Sequence, residues 1–173
     1  MKAAAILLVV TGALALQTML TGLMTGRQLP LNLVLVAVVY LALAYGAATG
    51  MFAGAAAGLV QDVLAGGIIG IGGICKTLVG FLVGVLGAQF IVSNTLPRLV
   101  MFVAATFVHD LLFEALQALV ASRGFAPHYQ LLMVQAMVNG LVGVSAFWIV
   151  ERGPEVAARR RSLRRASFSK RRF

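Results

Sequence analysis

Two groups of ionisable side chains lie within long apolar stretches of this chain, and they are its first candidates for chemistry. Asp62 follows a run of glycines, and His109, Asp110 and Glu114 form a second group. Carboxylates and imidazoles bind metal ions, carry protons or pair with cations, but each is costly to place in lipid without a partner. Each group therefore needs a partner inside the protein.

In the second group, Asp110 and Glu114 are four residues apart and share a helix face. Two such carboxylates in a low dielectric do not both ionise easily, so at least one is expected to be protonated or to meet a donor. His109 and Asn139 are the candidate donors. The His-Asp-x-x-x-Glu spacing is not a recognised metal pattern, so a polar contact between the fifth and sixth helices is favoured over a metal site or proton relay.

The first group combines a carboxylate with small residues. Glycines every fourth residue let two helix backbones approach closely in lipid. Because each four-residue step overshoots a full turn by about 40°, three glycines form a compact face and Asp62 lies at its edge. Asp62 either caps a helix end or pairs with Lys76 to hold the fold, or it contacts a partner or ligand. The predicted contact residues are Gly50, Gly54, Gly58, Asp62, Gly66 and Gly70.

Composition identifies the setting of these residues as a membrane. Of 173 residues, 61% are apolar and 11% are charged, and the mean hydropathy is +0.98. A spanning helix takes about 20 residues, so an all-α bundle of six spans is predicted within residues 1–150. The expected spans are Ala3 to Leu23, Leu31 to Tyr45, Gly50 to Leu64, Ile74 to Val92, Leu99 to Ala121 and Leu131 to Val150, the second and third being short.

Charge is concentrated at the C-terminus. From Glu151 onward there are nine basic and two acidic residues, and an excess of Lys and Arg marks the cytoplasmic side of a membrane. Residues 151–173 are therefore expected to form a disordered cytoplasmic tail that binds anionic lipid. An even number of spans then places both termini in the cytoplasm. Nucleic-acid binding is not predicted, because no folded module accompanies the basic residues.

The residues around Asp62 also carry a family resemblance. The pattern D-x-x-x-G-x-x-x-G at Asp62, Gly66 and Gly70, with Gly54 and Gly58 before it and an apolar helix after Lys76, resembles the rod-shape-determining MreD family. Length, span count and the order of elements agree with this family up to about Glu151. One departure is at Pro30-Leu31-Asn32, where many relatives have a Pro-Asp pair at the start of the second span.

The resemblance implies a non-enzymatic protein of the bacterial inner membrane. It implies membership of the cell-elongation machinery, binding to the single-span protein MreC, and support of peptidoglycan synthesis and rod shape. It also implies no cofactor, and a fold similar to the substrate-binding subunits of energy-coupling-factor vitamin transporters. Other membrane proteins of the elongation machinery, lipid and a second copy of the chain are further expected partners.

Two hypotheses follow for the glycines and Asp62. In the first, the glycine face docks a partner helix of a structural adaptor. In the second, the same residues line a pocket of a vitamin transporter subunit, which would need aromatic and hydrogen-bonding residues converging from outer loops. Only the stretch from Arg123 to Gln130, with His128 and Tyr129, offers such residues, so the adaptor hypothesis is favoured.

Overall fold

A computed structural model describes residues 2–23, 30–90 and 94–169, with side chains for residues 3–23, 30–90 and 94–151. Within these residues the chain is helical and contains no strand, which confirms the predicted all-α membrane bundle. The six helices are α1 (Lys2–Leu23), α2 (Leu33–Tyr45), α3 (Ala47–Ala65), α4 (Ile71–Gln89), α5 (Thr95–Val120) and α6 (Tyr129–Ser169).

Five of these helices are long and apolar enough to cross a membrane, and α2 is the exception. With 13 residues it is about 20 Å long, against about 30 Å for the hydrocarbon core. The sequence predicted that both α2 and α3 would be short. The prediction was wrong for α3, which runs from Ala47 to Ala65 and has 19 residues.

The short helix α2 forms the centre of the bundle and contacts all five other helices. It is apolar on every side, which is typical of a helix with no lipid-facing or water-facing surface. Eight of its residues are buried: Val34, Leu35, Val36, Ala37, Val38, Val39, Leu41 and Ala42. The other helices therefore surround a central helix that is shorter than the hydrocarbon core.

Consecutive helices run in opposite directions, as their side-chain contacts show. Gln17 of α1 lies at the start of α2, and Lys76 near the start of α4 contacts His109 in the second half of α5. Residues 66–70 and 121–128 therefore lie at one end of the bundle, here called the long-loop end. The beginning of α1 and the last part of α6 lie at the opposite end.

An ion pair connects the last helix to α5 at residue 151. Glu151 forms a two-pronged ion pair with Arg98 of α5, with N–O distances of 2.6 and 2.7 Å, and the Arg98 guanidinium lies 4.5 Å from the centre of the Phe147 ring. Paired Arg–carboxylate bonds of this kind are strong and directional. Glu151 therefore belongs to the bundle. The helical backbone continues to Ser169, and the disorder expected for residues 151–173 stays a prediction.

A single residue, Gly46, connects α2 to α3. Its φ of 92° and ψ of 176° fall in a region that is essentially restricted to glycine. The turn brings α3 back along α2, so that a side chain on Gly50 would meet Ala42. Its own N–H donates to the Ala42 carbonyl at 2.9 Å, so this sharp reversal leaves that group satisfied.

Replacing Gly46 by alanine is expected to lower the free energy of unfolding by about 1–3 kcal/mol. No atom lies within 4 Å of the added Cβ, so the cost arises from the backbone conformation alone. Thermal and denaturant unfolding of the purified protein would measure it. Gly22→Ala is the matched control, since Gly22 also has open space around it but lies inside α1. Equal stability of the two variants would contradict the assignment.

Candidate functional site

The glycine face of α3 packs directly against the backbone of α4. A Cβ built on Gly58 would lie 2.6 Å from the Gly73 Cα, a distance that real Cβ atoms do not show. The two helices run antiparallel, and the glycines lie where their axes are closest. The opposed positions are Gly50 with Gly80, Gly54 with Lys76 and Thr77, and Gly58 with Gly72 and Gly73.

The glycine face of α3 is covered by another helix of the same chain. Gly50, Gly54 and Gly58 are all buried, and α4 occupies the space above them. The sequence indicated that a helix lies there, but the spacing alone does not say which one. Contact of these glycines with a partner protein stays a prediction.

Asp62 lies at the end of this contact and accepts hydrogen bonds from the start of α4. Its Oδ2 accepts from the Gly70 N–H at 2.8 Å and from the Gly73 N–H at 3.2 Å, and the residue is 7% exposed. The first N–H groups of a helix have no partner within the helix, and a carboxylate there also interacts favourably with the helix dipole. Of the roles that the sequence left open, the geometry is that of a helix cap.

The two glycines after Asp62 allow this cap to form. Gly66 ends α3 with φ of 66°, and Gly70 precedes α4 with φ of 107°, both left-handed values that favour glycine. Gly72 leaves room for the carboxylate, because its missing side chain would otherwise occupy the position of Asp62 Oδ1. The D-x-x-x-G-x-x-x-G pattern thus describes a clip that joins two helices whose backbones touch.

A chain of buried polar side chains connects α4 to α5. Lys76, only 2% exposed, places its Nζ 3.4 Å from His109 Nε2, and His109 Nδ1 lies 2.8 Å from Asp110 Oδ1. An imidazole that carries its proton on Nδ1 donates to Asp110 and accepts from Lys76. The sequence proposed Lys76 as a partner for Asp62; among the described side chains, its hydrogen-bonding partner is His109.

The second predicted cluster is divided between different neighbours. Asn139 is fully buried and contacts neither carboxylate; its Oδ1 accepts from the Asn32 N–H at 3.0 Å and its Nδ2 lies 3.4 Å from Thr106 Oγ1. His109 and Asp110 face α4. Glu114 is half-buried and lines a cavity at the long-loop end. A polar contact between α5 and α6 does exist, but Thr106 and Asn139 make it.

Sequence reasoning missed the residues that hold the start of α2. Asn32 caps this helix by accepting from the Leu35 N–H at 3.0 Å, and Gln17 of α1 accepts from the Leu33 N–H at 2.8 Å. An asparagine directly before an apolar run is a helix-start signal. Asparagine and aspartate cap helices about equally well, so Asn32 does not need to be an acid to cap α2.

Together, the helices and the buried caps define a polytopic helical membrane protein whose interior polar groups stabilise helix ends. The family model for rod shape-determining protein MreD matches residues 2–133, and the chain belongs to this family. The match includes the glycine face, Asp62 and the Lys76–His109–Asp110 chain. It ends earlier than the boundary near Glu151 that was expected from the resemblance.

No curated protein and no solved structure matches the chain. The expected similarity of the fold to substrate-binding subunits of vitamin transporters therefore stays a prediction. Family membership favours the adaptor hypothesis over the transporter hypothesis, since it identifies a membrane protein of rod-shape determination.

Replacing Gly54 by alanine is expected to destabilise the protein by about 1–3 kcal/mol, the usual cost of overpacking, or more. The added Cβ would meet the backbone of Lys76 and Thr77, which cannot move aside as a flexible side chain can. Unfolding measurements on Gly54→Ala and on the control Gly22→Ala would test this. A Gly54→Ala protein as stable as the control would show that α3 and α4 are not in backbone contact.

Replacing Asp62 by alanine is expected to cost about 1–3 kcal/mol, because the buried N–H groups of Gly70 and Gly73 lose their acceptor. Asp62→Asn retains one carbonyl oxygen and is expected to lose clearly less. The comparison of the two variants by thermal unfolding separates the capping oxygen from the negative charge. If the asparagine variant were as unstable as the alanine variant, the charge would be the decisive property.

Proposed function

We propose that this protein is a non-enzymatic scaffold of the bacterial cell-elongation machinery that binds MreC and supports peptidoglycan synthesis. The observation that carries the proposal is the family match over residues 2–133, which contains the α3–α4 contact and its Asp62 clip. Most of the buried polar side chains described cap helix ends or bind one another, which supports a scaffold, although Gln61 Oε1 and Asp110 Oδ2 have no hydrogen-bond partner among the described residues.

We also propose an orientation in the inner membrane. The nine basic residues after Glu151 favour the cytoplasmic side for the end of α6. Because α1 begins at the same end of the bundle, both termini lie in the cytoplasm in this proposal. The long-loop end then faces the periplasm.

The surface proposed for MreC is a groove between α1 and α6. These two helices do not contact each other, and the central helix α2 forms the floor of an apolar groove of about 230 Å³ between them. Its walls carry small residues, Gly12 and Ala13 on α1 and Ala146 on α6, which permit close helix approach in lipid. Since α4 covers the glycine face of α3, this groove is the place where the single transmembrane helix of MreC would fit.

Replacing Gly12 by leucine is expected to reduce co-purification of MreC at least tenfold, because the new side chain fills the groove. No atom lies within 4 Å of the position of its Cβ, so the protein itself is expected to fold as before. Gly22→Leu is the matched control: Gly22 is equally open and lies on the same helix but does not line the groove. Quantitative affinity purification of tagged protein from membranes would give the result.

The outcomes separate the docking surface from the proposed function. If both variants retain MreC, the groove is not the interface, although binding itself stands. If the unmodified protein does not retain MreC, and cells that lack it keep their rod shape, the proposed function is wrong. Thermal unfolding of each variant without partner shows whether a loss of binding comes from a loss of folding.

A further inference from the structure

The long-loop end of the bundle contains a cavity of about 710 Å³, well separated from the groove between α1 and α6. Pockets that bind small molecules have volumes of about 300–1,000 Å³. Three segments form its walls: the α3–α4 connection, the last two turns of α5, and the α5–α6 connection. Its polar wall residues are Glu114, Gln117, Arg123 and His128, and Gly67 and Ile68 also line it.

The polar groups of this cavity have no partners within the described part of the chain. None of the four side chains makes a hydrogen bond or ion pair with a described residue, whereas the buried polar residues one or two turns deeper all have at least one. Gln117, Arg123 and His128 are exposed. The backbone N–H groups of Gly67 and Ile68 are also without a protein acceptor. Glu114 is half-buried on a helix that crosses the membrane, where an unpaired carboxylate is costly.

The walls are held in place without a ligand. On one side, Asp62 fixes the α3–α4 connection through the Gly70 N–H at 2.8 Å. On the other, α5 ends in a Schellman turn, in which the Arg123 N–H donates to the Ala118 carbonyl at 2.9 Å and Ser122 adopts a φ of 51°. A left-handed residue is usual at this position of a Schellman turn. A site formed in advance does not lose binding energy to ordering.

The charges on the walls decide which class of molecule fits. A simple anion would face the Glu114 carboxylate, and a simple cation would face the Arg123 guanidinium. A molecule with both charges satisfies both, with Glu114 and Gln117 accepting from an ammonium group and Arg123 and the Gly67 N–H donating to an oxyanion. The donor and acceptor inventory is that of a zwitterion site.

We infer that this cavity binds a small zwitterion that combines a primary ammonium group with an oxyanion. Two sources share this chemistry: the phosphoethanolamine head group of a membrane lipid, and a free amino acid. The inference does not depend on binding of MreC. It assigns a ligand site to the end of the bundle opposite the chain termini.

Thermal unfolding of the purified full chain with soluble probes tests the inference. Glycerophosphoethanolamine and glycine represent the two sources; glycerol 3-phosphate lacks the ammonium, and glycerophosphocholine lacks its N–H donors. At least one of the first two is expected to raise Tm saturably by a few degrees, and neither of the last two is. Equal shifts with glycerol 3-phosphate, or no saturable shift with either zwitterion, would overturn the inference.

Variants connect the effect to the cavity. Glu114→Gln and Arg123→Gln are each expected to weaken binding of the active probe at least tenfold without lowering the Tm measured without probe. Gln130→Ala, an exposed residue just after the α5–α6 connection, is the matched control and keeps the affinity. Unchanged affinity in both cavity variants would place the binding elsewhere and overturn the inference.

Native mass spectrometry separates the two sources. The protein is first reconstituted with phosphatidylethanolamine. If it retains one lipid molecule, if glycerophosphoethanolamine displaces that molecule, and if Glu114→Gln does not retain it, then the ligand is a lipid head group. Binding of glycine without retention of the lipid identifies a soluble amino acid. Either result supports a zwitterion site, and binding of neither contradicts it.

Discussion

The direct backbone contact between α3 and α4 is the constraint on which the rest of this structure depends. Glycines on both helices remove the side chains that would hold the axes apart, so dispersion contacts form along the whole interface. The contact also sets the register: with Gly58 against Gly72 and Gly73, the carboxylate one turn later lies at the start of α4. The cap by Asp62 is thus a consequence of the packing as well as a contribution to it.

The polar residues of the interior share one physical task. The starts of α2 and α4 are partly buried, and their first N–H groups have no partner within the helix; such groups cost several kcal/mol each when they are left unsatisfied in lipid. Asp62 serves α4, whereas Asn32, Gln17 and Asn139 serve the region at the start of α2. Ionisable residues in membrane spans are functional candidates by default. In this protein several of the buried polar side chains instead accept hydrogen bonds from backbone N–H groups at helix starts.

Sequence reasoning reached the fold more completely than the site. Apolar run lengths located all six helices, and the glycine spacing correctly indicated a close helix contact beside Asp62. It could not identify the helix in that contact, because a small-residue stripe describes one surface and carries no information about its partner. Asn139 shows a similar limit. The sequence offered it as a donor for the carboxylates of α5, but its side chain hydrogen-bonds Thr106 and the backbone of Asn32 instead. The direction of a side chain around the helix axis decides its neighbours.

The short helix α2 connects these features and explains why the open surface lies where it does. A helix of 13 residues is shorter than the hydrocarbon core of the bilayer. The other helices therefore have to shield its ends from lipid. Helices α3 to α6 surround it on most sides, while α1 and α6 leave a gap over Val36 and Ala37. Val36 and Ala37 are nonetheless almost fully buried, so they offer little surface to a partner helix. A helix bound in the gap would contact chiefly the small residues on its walls. Its affinity would therefore depend on how closely the backbones approach, which is the same physical principle that holds α3 against α4.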